Sequence, residues 1–396
     1  MRTTPEHPLL DLLDAGIRSA RIRFRTAAGD RVIGAAAGPD DDIVIRIDHP
    51  RFFDRVLAHG NLGLAESYMD ADFALERGTL EDLLVVLLSD RVDRRVAPGP
   101  RLAARAATVY LRVWLRGKRE NVRRHYDLGI DLFESFLDES LAYSCGYARD
   151  PGDSLEGLQH NKYERICCKL RLVPGDTLVD VGCGFAGLLI HAAKRYGVRG
   201  LGVTNSVEHA SVARDRVSKA QIDRRLEIQL GDYRDVRGRY SKLVSVGMLE
   251  HVPQREVTAY FRQVARMLAP DGIGLVHTIG HNGAHGRHDP FIQKYIFPGS
   301  RQPRLSEIVA QLERRGLAIL DVENVVRHYV PTARHWLARF LANARSLDPA
   351  RYDDRFRRMW EYYLSCGIAA AAASDAAVYQ VLFTPDRAAA IPLERV

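Results

Sequence analysis

The chain of 396 residues contains little cysteine, and its cysteines are irregularly spaced. They are Cys145, Cys167, Cys168, Cys183 and Cys366. So few cysteines in so long a chain exclude a disulfide framework, and no pair has the CxxC spacing of a zinc or redox site. We therefore predict a protein of the reducing cytoplasm that binds no metal.

Long apolar runs are also missing. No uninterrupted apolar stretch approaches the roughly 20 residues that cross a bilayer. Acidic residues interrupt the apolar ones near the N-terminus, so we expect no signal peptide. With 46% hydrophobic and 27% charged residues, the composition is typical of a soluble globular protein. The length allows two or three domains.

Positive charge is concentrated in one stretch of the chain. Residues 91–124 hold eleven Lys or Arg against two acids, while the whole chain has a net charge of +7. On a helix, one narrow stripe would carry Arg101, Arg105, Arg112 and Arg116. We interpret 101–125 as a basic amphipathic helical linker, whose partner could be anionic lipid, nucleic acid or only solvent. No recognised nucleic-acid-binding motif occurs, so we predict no nucleic acid partner.

The chain on either side of this linker has two different patterns. Residues 1–100 predict a small α+β domain, with strands at 21–26 and 42–48 and helices at 49–60 and 80–90. Residues 126–396 form the second predicted domain, in which apolar runs alternate with helical segments. Its predicted strands are 177–182, 199–204, 226–230, 242–247 and 273–278. This alternation predicts an α/β fold with a doubly wound, mostly parallel sheet that binds ligands beyond its carboxyl ends.

A glycine-rich loop follows the first strand of that sheet. Gly182 and Gly184 permit a tight turn and the close approach of a ligand to backbone N–H groups. With Gly187 they also satisfy GxGxxG, the pattern of nicotinamide and flavin sites. Against that interpretation, Asp180 stands just before the glycines, and the next strand ends at Thr204 where a dinucleotide ribose needs an acid. The loop resembles the S-adenosylmethionine loop of Rossmann-like class I methyltransferases.

Two further segments fit that class of enzyme. In it, an acid after the third strand faces the adenine, and here Asp232 holds that position, with Tyr233 next to it as a cover for the ring. The sequence SVGMLEHV, 245–252, spans the end of the fourth strand. Each residue alone is an ordinary loop residue, and only their order and spacing together favour a function.

Several longer motifs resemble the cyclopropane-fatty-acyl-phospholipid synthases. They lie at 60–73, 123–147, 202–209, 246–252, 275–280, 294–299, 328–336 and 362–367. The resemblance therefore covers nearly the whole chain. It implies transfer of a methyl group from S-adenosylmethionine to the cis double bond of an unsaturated phospholipid acyl chain, with closure of a cyclopropane ring.

The resemblance also implies roles for individual residues. The implied cofactor-binding residues are Tyr143, Ser144, Asp180, Gly182, Gly184, Thr204, Asn205, Ser206, His209, Asp232 and Tyr233. The positions that match a bicarbonate site are Cys145, Glu250, His277, Ile279 and Tyr329. Cys366 matches a cysteine often named as an active-site residue, although a buried thiol packed as a small hydrophobe is the commoner fate of such a residue.

The chemistry of the implied reaction agrees with these residue types. An alkene is a poor nucleophile, so the protein must align it with the methyl group and exclude water. Methyl transfer leaves a carbocation that must lose a proton before the ring closes. A bicarbonate held by Glu250, His277 and Tyr329 could accept that proton, whereas a thiolate beside a sulfonium methyl would risk its own methylation.

The implied partners are phospholipid acyl chains, an anionic membrane surface and a second copy of the chain. The resemblance thus implies a cytoplasmic homodimer, peripheral on the inner face of the membrane. Three alternatives stay open at this point. They are a fatty-acyl methyltransferase that leaves a methyl or methylene branch, a methyltransferase of a soluble small molecule, and a non-catalytic lipid carrier or scaffold.

Overall fold

A computed structural model describes residues 7–34, 43–92, 128–283, 289–386 and 388 of the chain. These residues divide into two compact units. The first is built from the described residues among 1–118, 287–298 and 336–375, and the second from those among 119–286, 299–335 and 376–396. The predicted linker helix at 101–125 lies outside the described residues.

The first unit contains a four-stranded sheet in the order β2-β1-β3-β4. The strands are β1 (Ile22–Thr26), β2 (Gly29–Ile33), β3 (Ile43–Ile47) and β4 (Phe73–Arg77). Four helices accompany them, α1 (Pro8–Gly16), α2 (Arg51–His59), α3 (Asn61–Met69) and α4 (Leu80–Ser89). The predicted α+β character, both predicted strands and both predicted helices are present. The hairpin strand β2 and the strand β4 were not predicted.

A helix from late in the chain completes the first unit. Helix α12 (Asp354–Ala373) packs against α3 and α4. Arg358 donates to the backbone oxygen of Tyr68 and lies over its ring, with the guanidinium carbon 4.1 Å from the ring centroid. The short helix Ile292–Ile296 also belongs to this unit, where Lys294 pairs with Glu66 at 2.6 Å. The units therefore differ from the contiguous domains 1–100 and 126–396, because α12 buries its apolar face against N-terminal helices.

The second unit contains a seven-stranded sheet in the order β10-β11-β9-β8-β5-β6-β7. The strands are β5 (Thr177–Val181), β6 (Arg199–Thr204), β7 (Leu226–Leu230), β8 (Tyr240–Val246), β9 (Leu268–His281), β10 (Ala318–Asn324) and β11 (Ala376–Thr384). Strands β5 to β9 are parallel and are the five predicted ones. Strand β11 runs antiparallel to both β9 and β10. The carboxyl ends of the five parallel strands share one edge of the sheet.

Helices cover both faces of this sheet. Five of these helices alternate with the strands along the chain. They are α6 (Leu155–Lys169), α7 (Gly187–Tyr196), α8 (Val207–Lys219), α9 (Val257–Met267) and α10 (Leu305–Glu313). Helix α5 (Ile130–Phe136) precedes them in the chain, and α11 (Tyr329–Asn343) follows them, with its residues from Trp336 onward belonging to the first unit. Leu178 of β5 packs with residues of α6, α7 and α8, while Val179 and Val181 pack with residues of α9 and α10. This alternation confirms the doubly wound arrangement.

Candidate functional site

The glycine loop turns directly from β5 into α7. Gly182 and Gly184 have φ angles of +86° and +52°, in the left-handed region that favours glycine. The N–H groups of Gly182 and Cys183 both donate to the backbone oxygen of Val203 in β6, at 2.9 and 3.0 Å. A Cβ at Gly182 would lie 3.0 Å from the Cβ of Met248, whereas one at Gly184 would meet no described atom within 4 Å. The open space for a ligand is therefore beside Gly184.

Asp180, one residue before the end of β5, is a buried carboxyl group with unused hydrogen-bonding capacity. It is 3% exposed, and its Oδ1 has no hydrogen-bond partner among the described residues. Burial raises the pKa of Asp180 to about 7, and the positive charge of Lys162 opposes that rise. A ligand that brings hydrogen-bond donors or a positive charge would satisfy this oxygen. S-adenosylmethionine carries an ammonium group and fits the position.

Tyr143 and Ser144 precede the loop in the chain and are held by different contacts. The Tyr143 ring packs edge-on against Phe133 and Phe136, with centroids 5.6 and 5.7 Å away. The hydroxyl of Ser144 accepts a hydrogen bond from Lys162 Nζ at 2.8 Å. Both predicted cofactor residues are thus fixed by their neighbours.

The end of β6 reaches the same loop. Thr204 Oγ1 accepts from the Ser206 N–H, and Ser206 Oγ caps α8 by accepting from the His209 N–H. The His209 ring lies 4.4 Å from the ring of Phe185 in the glycine loop, measured between centroids. Burial lowers the pKa of His209 to about 4, so its imidazole is neutral. Asn205 is exposed between these residues.

Asp232 and Tyr233 follow β7. The Asp232 carboxylate is held by Arg234, whose Nε lies 2.9 Å from Oδ1 and whose Nη2 lies 2.6 Å from Oδ2. The Tyr233 ring is buried in the core, edge-on to Tyr260 with centroids 5.5 Å apart. Their contact with an adenine ring stays a prediction.

Glu250 lies in the 3₁₀-helix Leu249–His251 that follows β8. Its Oε1 accepts a hydrogen bond from the Ile279 N–H at 2.5 Å, while its buried Oε2 has no partner among the described residues. Burial raises the pKa of Glu250 to about 7, with the Ile279 hydrogen bond opposing that rise. Near neutral pH this carboxyl group can therefore either donate or accept a proton.

His277 lies near the carboxyl end of β9 and is 2% exposed. Burial lowers its pKa to about 3, so the ring is neutral. Its Nδ1 is 3.3 Å from Nε2 of Gln380 on β11. An amide nitrogen only donates, so Nδ1 is the acceptor and the imidazole proton sits on Nε2. Sequence reasoning missed Gln380, and a lone amide in the apolar run AAVYQVLFT was the available signal.

Cys145, Ile279 and Tyr329 belong to one small cluster with Val325 and Val378. The Cys145 Sγ lies 3.3 Å from the oxygen of Gly146, and burial raises the pKa of the thiol, which keeps it protonated. Since Ile279 also binds Glu250, four of the five predicted bicarbonate residues are linked by contacts. His277 is two residues before Ile279 on the same strand and therefore faces the same side of the sheet.

Cys366 lies on α12 in the first unit, unlike the other predicted catalytic residues. Its neighbours there are Tyr362 and Asn61, and the Tyr362 hydroxyl donates to Asn61 Oδ1 at 2.6 Å. Burial raises the pKa of the Cys366 thiol well above its ordinary value, and the charge of Asp289 adds to that rise. The group is a protonated thiol within a hydrogen-bonded cluster, and a catalytic role for it stays a prediction.

No cluster of three or more His, Cys, Asp or Glu side chains is arranged to hold a metal ion in the part of the chain that the structure describes. None of its helices combines the length and the apolar character that crossing a membrane requires.

The family model described as mycolic acid cyclopropane synthetase matches residues 115–381. The chain belongs to this family. It is 38% identical to the cyclopropane-fatty-acyl-phospholipid synthase of Escherichia coli K12 over 362 residues, which cover 90% of each chain. It is 34% identical to the tuberculostearic acid methyltransferase of Mycobacterium tuberculosis over 342 residues, covering 82% of this chain and 79% of that protein.

A solved structure from this family is similar in fold. It is a mycolic acid cyclopropane synthase, CmaA1, complexed with SAH and CTAB, with a TM-score of 0.63 and 28% sequence identity. The match covers 67% of this chain and 97% of that one. The predicted class I methyltransferase fold and the predicted family are confirmed. The chain is an S-adenosylmethionine-dependent methyltransferase.

Proposed function

We propose that the enzyme methylates the cis double bond of unsaturated phospholipid acyl chains and closes a cyclopropane ring, with bound bicarbonate as the base. The observation that carries this proposal is that two buried polar side chains, Glu250 and His277, lie at the carboxyl ends of β8 and β9 together with the Ile279 N–H that Glu250 binds; we call this group the pocket. Met248, two residues before Glu250, packs beside Gly182 of the cofactor loop. The pocket and the loop are therefore neighbours in the second unit.

The residues of the pocket suit a small anion. Neutral His277 presents an Nε2–H donor, and Glu250, with a pKa near 7, can donate a proton from Oε2. S-adenosylmethionine supplies an electrophilic methyl group when it is bound at the loop. A negatively charged thiolate would compete for that group, and burial holds Cys145 as the thiol. The pocket thus offers hydrogen bonds to an anion without an exposed nucleophile of its own.

The name of one relative supports a second possible product. The relative from Mycobacterium tuberculosis is named a tuberculostearic acid methyltransferase. The enzyme could in the same way leave a methyl or methylene branch on the acyl chain. The two outcomes share the donor and the alkene, and they differ in how the carbocation loses its charge.

The experiment uses purified enzyme, S-adenosylmethionine with a radiolabelled methyl group, and vesicles of either cis-unsaturated or fully saturated phospholipid. We expect label in the lipid fraction only with the unsaturated vesicles. Equal labelling of both lipids would point to the head group, and label confined to water-soluble products would overturn a lipid substrate.

The cofactor site predicts a specific effect at Gly184. Gly184→Ala places a methyl group in the open space beside the loop, so S-adenosylhomocysteine should bind at least about tenfold more weakly, a change of about 1.4 kcal/mol. Isothermal titration calorimetry measures this directly. The matched control is Gly316→Ala, since Gly316 also has a positive φ, +69°, and open space around it. Equal affinity of both variants for S-adenosylhomocysteine would contradict the placement of the cofactor.

We further propose that residues 101–125 bind anionic membrane surfaces, on the charge of that segment alone. Changing Arg101, Arg105, Arg112 and Arg116 to Glu should release the enzyme from anionic vesicles, because each basic residue near such a surface contributes about 1 kcal/mol. Changing the same residues to Lys keeps the charge and should keep the binding. Vesicle sedimentation at low salt measures both, and unaltered binding of the Glu variant would refute the proposal. The homodimer and the inner-face location stay predictions from the resemblance.

A further inference from the structure

Lys162 is a buried lysine on α6 that has no part in the proposed reaction. It is 2% exposed, and its Nζ donates to the Ser144 hydroxyl at 2.8 Å. No carboxylate of the described residues forms an ion pair with it at 4.0 Å or less. Burial lowers the pKa of Lys162 to about 8, with the charges of Asp138 and Asp180 opposing that change. Burying an ammonium group without a paired carboxylate is costly, which suggests that it serves a ligand.

Ser144 is held by two side chains of the same helix. Gln159 lies three residues before Lys162 on α6, and its Nε2 donates to the Ser144 backbone oxygen at 3.0 Å. The ammonium group of Lys162 has three donors and no acceptor, so the Ser144 oxygen must be the acceptor in their hydrogen bond. The hydroxyl proton of Ser144 is therefore directed away from Lys162. It is available to an acceptor on a ligand.

The surrounding charges have the pattern of a site for an amino acid group. Asp180 offers a buried, unpartnered carboxyl oxygen, and Lys162 and Asp180 each influence the pKa of the other. A zwitterion would place its ammonium group with the acid and its carboxylate with the Ser144 and Lys162 donors. S-adenosylmethionine has such an amino acid end, and Ser144 and Asp180 are both predicted to bind the cofactor.

We propose that Lys162 is a positioning residue for the cofactor, because it orients the Ser144 hydroxyl toward the carboxylate of the amino acid end. This inference rests on the cofactor site described above. It assigns Lys162 to recognition of one part of the cofactor, and not to the reaction at the alkene.

The test compares two ligands that differ only at the amino acid end. S-adenosylhomocysteine has it, and 5′-methylthioadenosine lacks the carboxylate and the ammonium group. For Lys162→Met we expect S-adenosylhomocysteine to bind roughly ten- to a hundredfold more weakly, the range for loss of a charged hydrogen-bonding group. The affinity for 5′-methylthioadenosine should be unchanged. In the Ser144→Ala background, the same Lys162→Met change should have a much smaller effect, since Lys162 acts through Ser144.

Lys169→Met is the matched control for a general loss of stability. Lys169 is also buried on α6, but it pairs with Asp321 at 3.0 Å and Glu323 at 2.6 Å. This variant should melt at a lower temperature, yet its ratio of the two ligand affinities should equal that of the wild type. Should Lys162→Met not fold, Lys162→Gln keeps a neutral donor and should show the same selective loss to a smaller extent.

The outcomes separate this proposal from the cofactor site itself. Equal weakening of both ligands, or of neither, would overturn the role of Lys162 while the cofactor site stands. A wild-type enzyme that binds neither ligand would overturn both.

Discussion

Replacing His277 by alanine should lower turnover of unsaturated lipid by roughly 10² to 10⁴, the usual contribution of a positioned proton transfer. The neutral ring presents its Nε2–H to the pocket because Gln380 donates to Nδ1, so the variant removes one hydrogen bond from the proposed bicarbonate. Affinity for S-adenosylhomocysteine should change little, since His277 is not among the cofactor-binding residues. Steady-state kinetics and calorimetry measure the two effects separately.

The matched control for this prediction is His191→Asn. His191 is a half-buried histidine of the second unit that bonds to Glu164 on α6 at 2.7 Å, and its replacement should leave turnover within a few fold. Removing bicarbonate from the buffer should slow the wild type, and adding it back should restore the rate. If folded His277→Ala enzyme turns over lipid at the wild-type rate, regardless of bicarbonate, then the proposed base is wrong.

Replacing Glu250 by glutamine should stabilise the protein at high pH. Burial raises the pKa of Glu250 from 4.5 to about 7, so the folded chain keeps this proton over a pH range in which the unfolded chain has lost it. The contribution of Glu250 to the free energy of unfolding therefore falls as the pH rises from 4.5 to about 7 and is constant above that. The total loss is about 3 kcal/mol, at 1.36 kcal/mol for each pKa unit.

Glu250→Gln removes this loss and retains an oxygen for the Ile279 N–H. The two proteins should have similar stability near pH 4.5, and the variant should be more stable by up to about 3 kcal/mol at about pH 8. Urea unfolding at both pH values gives the comparison. Asp180 titrates in the same range, but it is present in both proteins and cancels in the difference. A stability difference that does not vary with pH would contradict the burial of an ionisable Glu250.

The parallel part of the sheet could be predicted from the sequence, and its antiparallel edge could not. The expected strands at 199–204 and 226–230 match β6 and β7 residue for residue. These are short apolar runs set between clear helices and turns. Strand β11 follows an alanine-rich helix and is apolar on both faces, so its sequence lacks the alternation that marks a half-buried strand.

The residues of the candidate site could be predicted only where a residue's own place in the sequence indicates its role. Glu250 and His277 stand at recognisable strand ends, and the resemblance identified them. Gln380 gains its role from the register of β11 against β9, which places it opposite His277. Lys162 reads in the sequence as an ordinary helical lysine, and only the fold brings its Nζ to Ser144. The boundary of the first unit was missed for the same reason, because α12 joins it through contacts distant in sequence.

One measurement tests ring formation most directly. Cells that express the enzyme are grown with methionine whose methyl group is fully deuterated, and their phospholipid acyl chains are analysed by mass spectrometry before and after catalytic hydrogenation under mild conditions. Our account predicts acyl chains that gain one CD₂ group, lose the original double bond and take up no hydrogen. A saturated methyl branch would instead contain two more hydrogen isotopes than the ring product, and a methylene branch would gain CD₂ but take up hydrogen. Either of these results, or acyl chains without deuterium, would contradict the assignment of this enzyme as one that closes a cyclopropane ring.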